Sequence, residues 1–316
     1  MAKERVLITG GAGFLGNVLT RRFLGEGHKV TCLDNLMYRQ DQSIMPLAAN
    51  PDFEFVFGDV RDRALMEEQV PRHDIVFHMA AIVGAPASEQ RPFDTKSINQ
   101  DSVAILESVR GKGQKVVFPN TNSGYGTKSG QFHCDETTPL EPISLYGVTK
   151  CAGEDILLQS GKGAVVYRLA SVFGISPRMR LDLSFHDMVL QALSTGAIVM
   201  SEGSFTRNYV HIQDVASGFQ HAIQNYDSMV GEAFNLGSDG ANITRKDLAM
   251  KVSQRIPGTV VYENEGKADL DKRNYLVSNE KLRRVGFEAN RTIDQGIEEV
   301  RRGLAIMLKN NPYRNV

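Results

Sequence analysis

The chain has 316 residues, of which 41% are hydrophobic and 23% charged, a composition typical of a globular protein with a substantial core. Its 36 basic and 37 acidic side chains leave a formal charge of −1, which gives no reason to expect nucleic acid or an anionic membrane as a partner. The three cysteines (Cys32, Cys134 and Cys151) include no Cys-x-x-Cys pair, so we expect a reducing, cytoplasmic setting without a disulfide framework. The first apolar run, Val6 to Thr9, is too short for a signal peptide or a membrane span.

Short apolar runs alternate with amphipathic segments through the first half of the chain. The runs predict buried parallel strands over Arg5–Thr9, Lys29–Leu33, Phe53–Phe57, Ile75–His78, Val116–Pro119 and Val165–Leu169. Helical periodicity predicts helices over Phe14–Gly25, Asp62–Val70, Thr95–Val109 and Leu145–Ser160. This alternation is typical of βαβ units. The sequence therefore predicts an α/β fold with a Rossmann-type doubly wound parallel sheet.

The elements become shorter after about Gly174. The pattern predicts helices over Leu183–Ser194, Asp214–Asn225, Arg245–Ile256 and Thr292–Leu308, with brief strands over Tyr209–Ile212 and Ala233–Leu236. We interpret this half as a smaller α/β substrate-binding cap over the C-terminal edge of the sheet. The expected division is a Rossmann-type domain over residues 1–174 and a cap over residues 175–316, interleaved as one unit.

A glycine-rich turn lies between the first predicted strand and the first helix. Its glycines let the backbone approach a pyrophosphate at the helix N-terminus, and the predicted contacts are Gly10, Gly13, Phe14, Leu15 and Gly16. Asp34 ends the second strand, where its carboxylate can accept both hydroxyls of an adenosine ribose and repel a 2′-phosphate. This pattern favours NAD over NADP, although Asp34 could instead be a loop or capping residue.

Further cofactor contacts are expected where the next two strands end. Asp59 and Val60 follow the third strand, where an adenine ring would lie, and Asn35 adjoins Asp34. Ala80 and Ala81 follow the fourth strand and are small enough to leave room for a dinucleotide. Taken alone, Asp59 fits a helix cap equally well. The seven histidines show no ligand spacing, so we predict no metal site.

Tyr146 and Lys150 are four residues apart at the start of a predicted helix and so share one face. A free phenol is a poor base at neutral pH, and a nearby ammonium favours the phenolate. Tyr146 could then take a hydroxyl proton while the hydride leaves the same carbon for a nicotinamide ring. Thr121, at the end of the fifth strand, can hydrogen-bond the same substrate oxygen.

These motifs, in this order, resemble those of the extended short-chain dehydrogenase/reductase family, the NAD-dependent epimerases and dehydratases. The spacing from Thr121 to Tyr146 is similar to that of the family's nucleotide-sugar 4-epimerases. The resemblance implies Thr121 and Tyr146 as the acid–base pair, with Lys150 tuning them and binding the nicotinamide ribose. It also implies a nucleotide-sugar substrate.

Arginines in the second half resemble the family's diphosphate-binding residues. Arg207 lies in a segment similar to the family's R-D-Y-V-H-V-x-D, and Arg273 resembles its second diphosphate arginine. Guanidinium groups suit phosphate because they donate paired, coplanar hydrogen bonds. Arg178 and Arg180 could add to that pocket. The alternative is that all four arginines are solvated surface charges.

Two departures from the family pattern narrow the chemistry. Sugar 4,6-dehydratases carry an acidic pair after the catalytic threonine, whereas this chain has Asn122 and Ser123, both expected to contact substrate. A dehydratase is therefore disfavoured. Ser171 replaces the family's usual asparagine in the R-x-x-N-V-x-G stretch, so the diphosphate contact expected there is weaker or moved.

Three stretches resemble GDP-heptose 4-dehydrogenases of bacterial capsule assembly: residues 119–126, 174–183 and 271–279. The leading hypothesis is therefore NAD-dependent oxidation at C4 of a nucleotide-linked sugar, with GDP-manno-heptose as the expected substrate. The first alternative is a nucleotide-sugar 4-epimerase. The second is a non-catalytic NAD-binding regulator, which would predict a broken catalytic set.

The family resemblance also implies a homodimer. Family members pair through the helix that bears the tyrosine and the helix before it, here Leu145–Ser160 and Thr95–Val109. The residues that either form this surface or face the core are Ile98, Ile105, Leu106 and Val109.

Overall fold

The computed structural model describes residues 3–127, 133–264 and 274–308. Over these residues the strands are β1 (Arg5–Thr9), β2 (Lys29–Asp34), β3 (Phe53–Phe57), β4 (Ile75–His78), β5 (Lys115–Thr121), β6 (His133–Cys134), β7 (Val165–Leu169), β8 (Ser171–Phe173), β9 (Ala197–Met200), β10 (Thr206–His211), β11 (Ala233–Leu236), β12 (Asn242–Thr244), β13 (Val260–Glu263) and β14 (Leu276–Val277).

The α-helices over the same residues are α1 (Phe14–Gly25), α2 (Arg63–Gln69), α3 (Ala85–Gln90), α4 (Pro92–Lys96), α5 (Ser102–Val109), α6 (Leu145–Gln159), α7 (Ser184–Thr195), α8 (Ile212–Gln224), α9 (Tyr226–Met229), α10 (Arg245–Arg255), α11 (Glu280–Arg284) and α12 (Ile293–Met307). No helix in the part of the chain that the structure describes is long and apolar enough to cross a membrane.

A seven-stranded sheet in the order β11-β7-β5-β4-β1-β2-β3 forms the centre of the molecule. Every neighbouring pair is parallel, and β1 pairs with β2 on one side and β4 on the other. The strand order reverses on either side of β1, so a crevice opens beyond the carboxyl ends of β1 and β4, where open α/β sheets bind ligands. The prediction of a Rossmann-type doubly wound sheet is confirmed.

Side chains alternate between the two faces of β1 and build two separate cores. Val6 and Ile8 pack in the same cluster as Phe23 of α1 and Phe219 of α8. Leu7 belongs to the opposite cluster, with side chains from α2, α5 and α6. Each fully buried aliphatic or aromatic side chain stabilises the fold by about 1.5–3 kcal/mol. Both faces of the sheet are therefore covered, which holds the carboxyl ends of the strands in place.

Several elements differ from their predictions only at their ends, and two differ in burial or in helix type. β3 pairs with β2 as expected but is not a buried strand: it lies at the edge of the sheet, and Phe57 is 70% exposed. The predicted helix Thr95–Val109 begins earlier, at Pro92, and widens into a π-helical turn over Ser97–Asp101. In that turn the Asn99 side chain hydrogen-bonds both the N–H and the C=O of Ile82, which docks the helix on the segment after β4.

The second half of the chain contributes to both parts of the molecule. Its own small sheets are β12-β10-β8, β13-β9 and β14-β6. Between them the chain returns to the large sheet, where β11 pairs with β7 in the register Phe234↔Tyr167. Helices α7, α10 and α12 pack in a further apolar cluster that covers β10. The division at residue 174 stays a prediction.

The residues named for a dimer surface separate into two groups. Ile98 and Leu106 are buried and pack in the core beneath the sheet, whereas Ile105 and Val109 are half-buried beside that core. Val148 on α6 is 45% exposed. The homodimer itself stays a prediction.

Candidate active site

The turn between β1 and α1 requires glycine at two positions. Gly10 adopts φ +67°, which side chains rarely tolerate, and a Cβ on Gly16 would lie 2.2 Å from the Gly10 carbonyl oxygen. Gly13 precedes α1 and provides no side-chain cap, so the first N–H groups of the helix remain available to an anion. This turn fits the diphosphate of a dinucleotide.

Asp34 is buried at the end of β2, and both carboxylate oxygens are held in place. Oδ2 accepts a hydrogen bond from Ala12 N (3.1 Å), while Oδ1 accepts from Leu36 N (2.8 Å) and from Gln40 Nε2 (3.2 Å). Burial raises the pKa of this carboxyl group, and the backbone donors oppose the shift. Asp34 lies beside the glycine turn, as a ribose contact requires.

Asp59 is not the cap of the following helix. The N-cap of α2 is Asp62, whose side chain accepts from Leu65 N. Asp59 instead accepts hydrogen bonds from Asn35 Nδ2 (3.0 Å) and from Arg61. The hydrogen bond from the Arg61 side chain lowers the pKa of the Asp59 carboxyl group, although burial opposes this shift. The alternative that made Asp59 a helix cap is therefore wrong.

One cavity of about 580 Å³ extends from the glycine turn to the cap. Its wall includes these residues from the sequence predictions: Gly10, Gly13, Phe14, Leu15, Gly16, Asp34, Asn35, Asp59, Val60, Ala80, Ala81, Thr121, Ser123, Tyr146, Lys150, Ser171, Arg178, Arg180 and Arg207. Asn122 does not line it: the residue is 3% exposed, and its carbonyl oxygen accepts a hydrogen bond from the Tyr275 hydroxyl. Arg273 lies outside the described residues.

The three predicted catalytic residues come from β5 and α6. Thr121 ends β5, and its hydroxyl donates to Ser123 Oγ (3.1 Å) and accepts from Ser123 N (3.1 Å). Ser144 caps α6 by accepting from Gly147 N (3.2 Å), which starts the helix one residue before Tyr146. Tyr146 is half-buried and faces the same cavity as Thr121.

Lys150 lies one turn further along α6 and is only 2% exposed. Its Nζ is 3.8 Å from the centroid of the Phe118 ring. Burial lowers the pKa of this ammonium group to about 7. His78 behind it is a packed, neutral histidine, because burial lowers its pKa to about 3 and its ring hydrogen-bonds the hydroxyls of Thr9 and Ser102.

A buried ion pair joins α6, which carries Tyr146 and Lys150, to the large sheet. Glu154, one turn beyond Lys150, forms an ion pair with Arg168 of β7 (2.6 Å) and accepts from Asn120 Nδ2 (2.5 Å). Asn120 directly precedes Thr121, so this group joins β5, α6 and β7. Sequence analysis missed it, although the position of Glu154 four residues after Lys150 was a usable signal.

Of the four arginines predicted for the diphosphate pocket, the three that the structure describes are buried and are not solvated surface charges. Arg178, Arg180 and Arg207 are 8%, 6% and 5% exposed. Arg180 is paired with Asp182 (2.5 Å), and Arg207 lies on β10 and lines the cavity. Arg178 is close to Arg180 and Asp182 and also to Tyr38 and Asp34. Sequence analysis also missed Asp182, Asp187 and Arg245, which line the cavity.

Groups of three or more His, Cys, Asp or Glu side chains that could hold a metal ion do not occur among the described residues. The donors around the cavity are instead hydroxyl, ammonium, guanidinium and backbone N–H groups, which suit a phosphorylated organic ligand.

Comparison with known proteins identifies relatives of this chain. It is 32% identical over 250 residues to the uncharacterized UDP-glucose epimerase YtcB of Bacillus subtilis (strain 168), which covers 74% of this chain and 76% of that protein. It is 30% identical over 257 residues to the UDP-glucose 4-epimerase of Mycolicibacterium smegmatis, covering 77% and 80% of the two chains.

Solved structures share the fold over nearly the whole length. Pal from Bacillus thuringiensis superposes with a TM-score of 0.86 at 22% identity, covering 96% of this chain and 99% of that chain. UDP-glucuronic acid 4-epimerase from Bacillus cereus, in complex with UDP-glucuronic acid and NAD, gives a TM-score of 0.82 at 24% identity, with 96% and 99% covered.

The family model described as the NAD dependent epimerase/dehydratase family matches residues 6–237, most of the chain. This match confirms the predictions of an enzyme and of NAD as its cofactor, and a nucleotide sugar is the substrate class consistent with the family. The protein belongs to the NAD dependent epimerase/dehydratase family and is an extended short-chain dehydrogenase/reductase.

Proposed function

We propose that this enzyme oxidises C4 of a nucleotide-linked sugar to a ketone. The observation that carries the proposal is the meeting of Thr121, Tyr146 and Lys150 in one cavity with the glycine turn and the buried Arg207. The proposed proton acceptor, cofactor site and anion site therefore line the same cavity.

Tyr146 is the proposed base that takes the proton from the C4 hydroxyl group. Bound NAD would supply the other half of the oxidation by accepting the hydride from C4. Thr121 holds the substrate oxygen toward Tyr146 by hydrogen bonding, and its own hydroxyl is oriented by Ser123. Because burial brings the pKa of Lys150 to about 7, this residue can hold or release a proton near neutrality and favours the phenolate when charged.

Arg207 is the proposed anchor for the substrate diphosphate. It is 5% exposed, and its guanidinium carbon lies 5.9 Å from the Phe205 ring centroid, which limits the orientations of the side chain. A desolvated guanidinium binds a diphosphate more strongly than an exposed one because little water competes for it. Ser123 and Ser171 line the same cavity and are proposed to contact the sugar or the diphosphate.

Two finer proposals differ in what happens to the 4-keto sugar. The first is net dehydrogenation of GDP-manno-heptose for capsule or surface polysaccharide synthesis, which rests on the resemblance of three sequence stretches. The second is 4-epimerisation of a UDP-sugar, which is favoured by the names of relatives such as the UDP-glucose 4-epimerase of Mycolicibacterium smegmatis. The catalytic residues serve both, since epimerisation adds only a rotation of the sugar and return of the hydride.

The deciding experiment incubates the purified enzyme separately with GDP-manno-heptose and with UDP-glucose, each with excess NAD. NADH absorbance reports net oxidation, and NMR of the sugar reports the product. NADH with a 4-keto product supports the dehydrogenase, and a C4-inverted sugar without net NADH supports the epimerase. If the preparation binds NAD but forms neither a 4-keto product nor a C4-inverted sugar from GDP-manno-heptose or from UDP-glucose, both substrate assignments are contradicted.

A homodimer through α5 and α6 is the proposed assembly. Val148 is the exposed apolar residue of α6 that tests it, because Val148→Glu would place a charge in that surface. We expect the wild type to elute as a dimer in light-scattering chromatography and the variant as a monomer. A monomeric wild type would contradict the proposal.

A further inference from the structure

The segment between β8 and α7 connects the cap to the N-terminus of α1. Ser176 Oγ donates a hydrogen bond to the carbonyl oxygen of Phe14 (2.7 Å), the first residue of α1, and accepts one from Arg178 N (3.3 Å). On the other side, Ile175 N donates to Glu299 of α12 (2.9 Å). The segment is therefore anchored in the cap and on the helix that follows the glycine turn.

Arg178 extends from this segment toward the cofactor side of the cavity. Its guanidinium carbon lies 5.1 Å from the centroid of the Tyr38 ring, and its Nη1 donates to the carbonyl oxygen of Met179 (2.9 Å). Arg180 repels it electrostatically, whereas Asp182 and, more weakly, Asp34 attract it. Tyr38 is held in the same group because its N–H donates to Gln40 (2.9 Å), whose side chain donates to Asp34.

We propose that Arg178, supported by Tyr38 and Ser176, binds the diphosphate of NAD from the cap side, so that the cap controls how long the cofactor stays bound. This assignment moves Arg178 from the substrate diphosphate, where its sequence position placed it, to the cofactor. It goes beyond the sugar chemistry and does not depend on it.

The charges on the two sides of the cavity support this assignment. The N-terminus of α1 provides N–H groups and a partial positive charge on one side. Arg178 provides a full positive charge on the other, in a planar group suited to paired hydrogen bonds with phosphate oxygens. Burial and the neighbouring Arg180 lower the pKa of Arg178 to about 10, so a bound anion would offset an unfavourable environment for this cation.

Release of the cofactor then requires movement of a segment that is fixed by hydrogen bonds to both parts of the molecule. Opening must separate Arg178 from Tyr38 and break the Ser176–Phe14 bond. The expected result is slow exchange of NAD in the wild-type enzyme.

NAD binding without any sugar tests the proposal. Calorimetry would give the Kd, and a chase of labelled NAD would give the dissociation rate, for the wild type, Arg178→Ala and Arg178→Lys. We expect Arg178→Ala to raise both quantities at least tenfold for NAD and for ADP-ribose, and to leave adenosine affinity unchanged. Arg178→Lys should lose less NAD affinity than Arg178→Ala, because lysine keeps the positive charge although it lacks the planar guanidinium group.

Arg207→Ala is the matched control, since it removes a second buried arginine from the substrate side of the same cavity. It should leave NAD dissociation unchanged and weaken binding of UDP or GDP, the reverse of Arg178→Ala. The proposal would be overturned if Arg178→Ala released NAD at the wild-type rate, or if it lost affinity only for UDP and GDP. If Arg178→Ala does not fold by circular dichroism, the same comparison is made with Arg178→Lys and Ser176→Ala, which must then release NAD faster than the wild type. Because no sugar is used, inactivity toward every nucleotide sugar would leave this result interpretable.

Discussion

The Nζ atom of Lys150 lies 3.8 Å above the ring of Phe118, in a site where the residue is 2% exposed. The aromatic face attracts the cation, but burial removes most of its hydration. Burial lowers the pKa of Lys150 to about 7. Burial of Lys150 therefore costs stability, because folding disfavours the charged form of its side chain.

Lys150→Met is expected to abolish turnover and to raise the free energy of unfolding of the ligand-free enzyme by up to roughly 5 kcal/mol at pH 7, since each pKa unit lost on folding corresponds to about 1.4 kcal/mol. Folding lowers the pKa of Lys150. As pH falls, the lysine in the unfolded chain is therefore protonated below its ordinary pKa, whereas the lysine in the folded protein is protonated only below about pH 7. The difference in the free energy of unfolding between Lys150→Met and the wild type should thus grow as pH falls from about 10 to 7 and stay constant below pH 7. Urea unfolding across this range measures it. Lys281→Met is the control, because Lys281 lies over Phe234 but is partly exposed and paired with Glu232.

Tyr146→Phe should retain NAD and lose at least about 100-fold in turnover, since general base catalysis contributes on this order. The hydroxyl is removed while the ring that lines the cavity stays. Steady-state rates and calorimetry with NAD check the two parts separately. Full activity in this variant would exclude Tyr146 as the base.

Gly16→Ala should prevent NAD binding, because its Cβ would lie 2.2 Å from the Gly10 carbonyl oxygen, which is backbone and cannot move aside. Gly25→Ala, at the other end of α1, is the control, since a Cβ there meets no atom within 4 Å. Fluorescence titration with NAD compares them. Equal NAD affinity in the two variants would mean that the cofactor does not approach this turn.

Arg207→Ala should weaken nucleotide-sugar binding by about 2 kcal/mol or more, as expected for the loss of a charge-assisted phosphate contact. Arg255→Ala removes an exposed arginine of α10 and should leave the affinity unchanged. Calorimetry with UDP and GDP gives both values. Unchanged affinity in Arg207→Ala would place the diphosphate site elsewhere.

Glu154→Gln should destabilise the protein by roughly 2–4 kcal/mol, because it leaves the buried Arg168 guanidinium without its carboxylate partner. It should also lower kcat, since Asn120 loses a strong acceptor next to Thr121. Glu67→Gln, which breaks an exposed pair with Arg63, should change neither quantity measurably. Denaturant unfolding measures the stability of both variants, and steady-state kinetics measures their kcat.

Local patterns were sufficient to predict much of the fold and the position of the cofactor turn. The bounds of α1 and of β1, β3, β4 and β7 follow from periodicity, because each element is set by residues close in sequence. Gly16 and Tyr146 were identifiable for the same reason, since each belongs to a short motif. The edge position of β3 could not be predicted in this way, because it depends on the order of the strands in the sheet.

The remaining parts of the site depend on contacts between distant segments. Arg178 reaches Tyr38 only because the segment after β8 folds back onto α1, and no local pattern encodes that path. The Glu154–Arg168 pair joins a helix to a strand. Likewise, the π-helical turn places Asn99 against Ile82, a contact that heptad or strand periodicity does not report.

The return of the chain to the large sheet through β11 has a consequence for dissecting this protein. A fragment ending at Gly174 would keep the glycine turn and α6 but lack β11, leaving β7 as an open edge made of Val165, Val166 and Tyr167. An unprotected apolar edge invites pairing with other molecules. The two sequence halves are therefore expected to melt in a single transition, and recombination between relatives at this point would separate strands that stabilise each other.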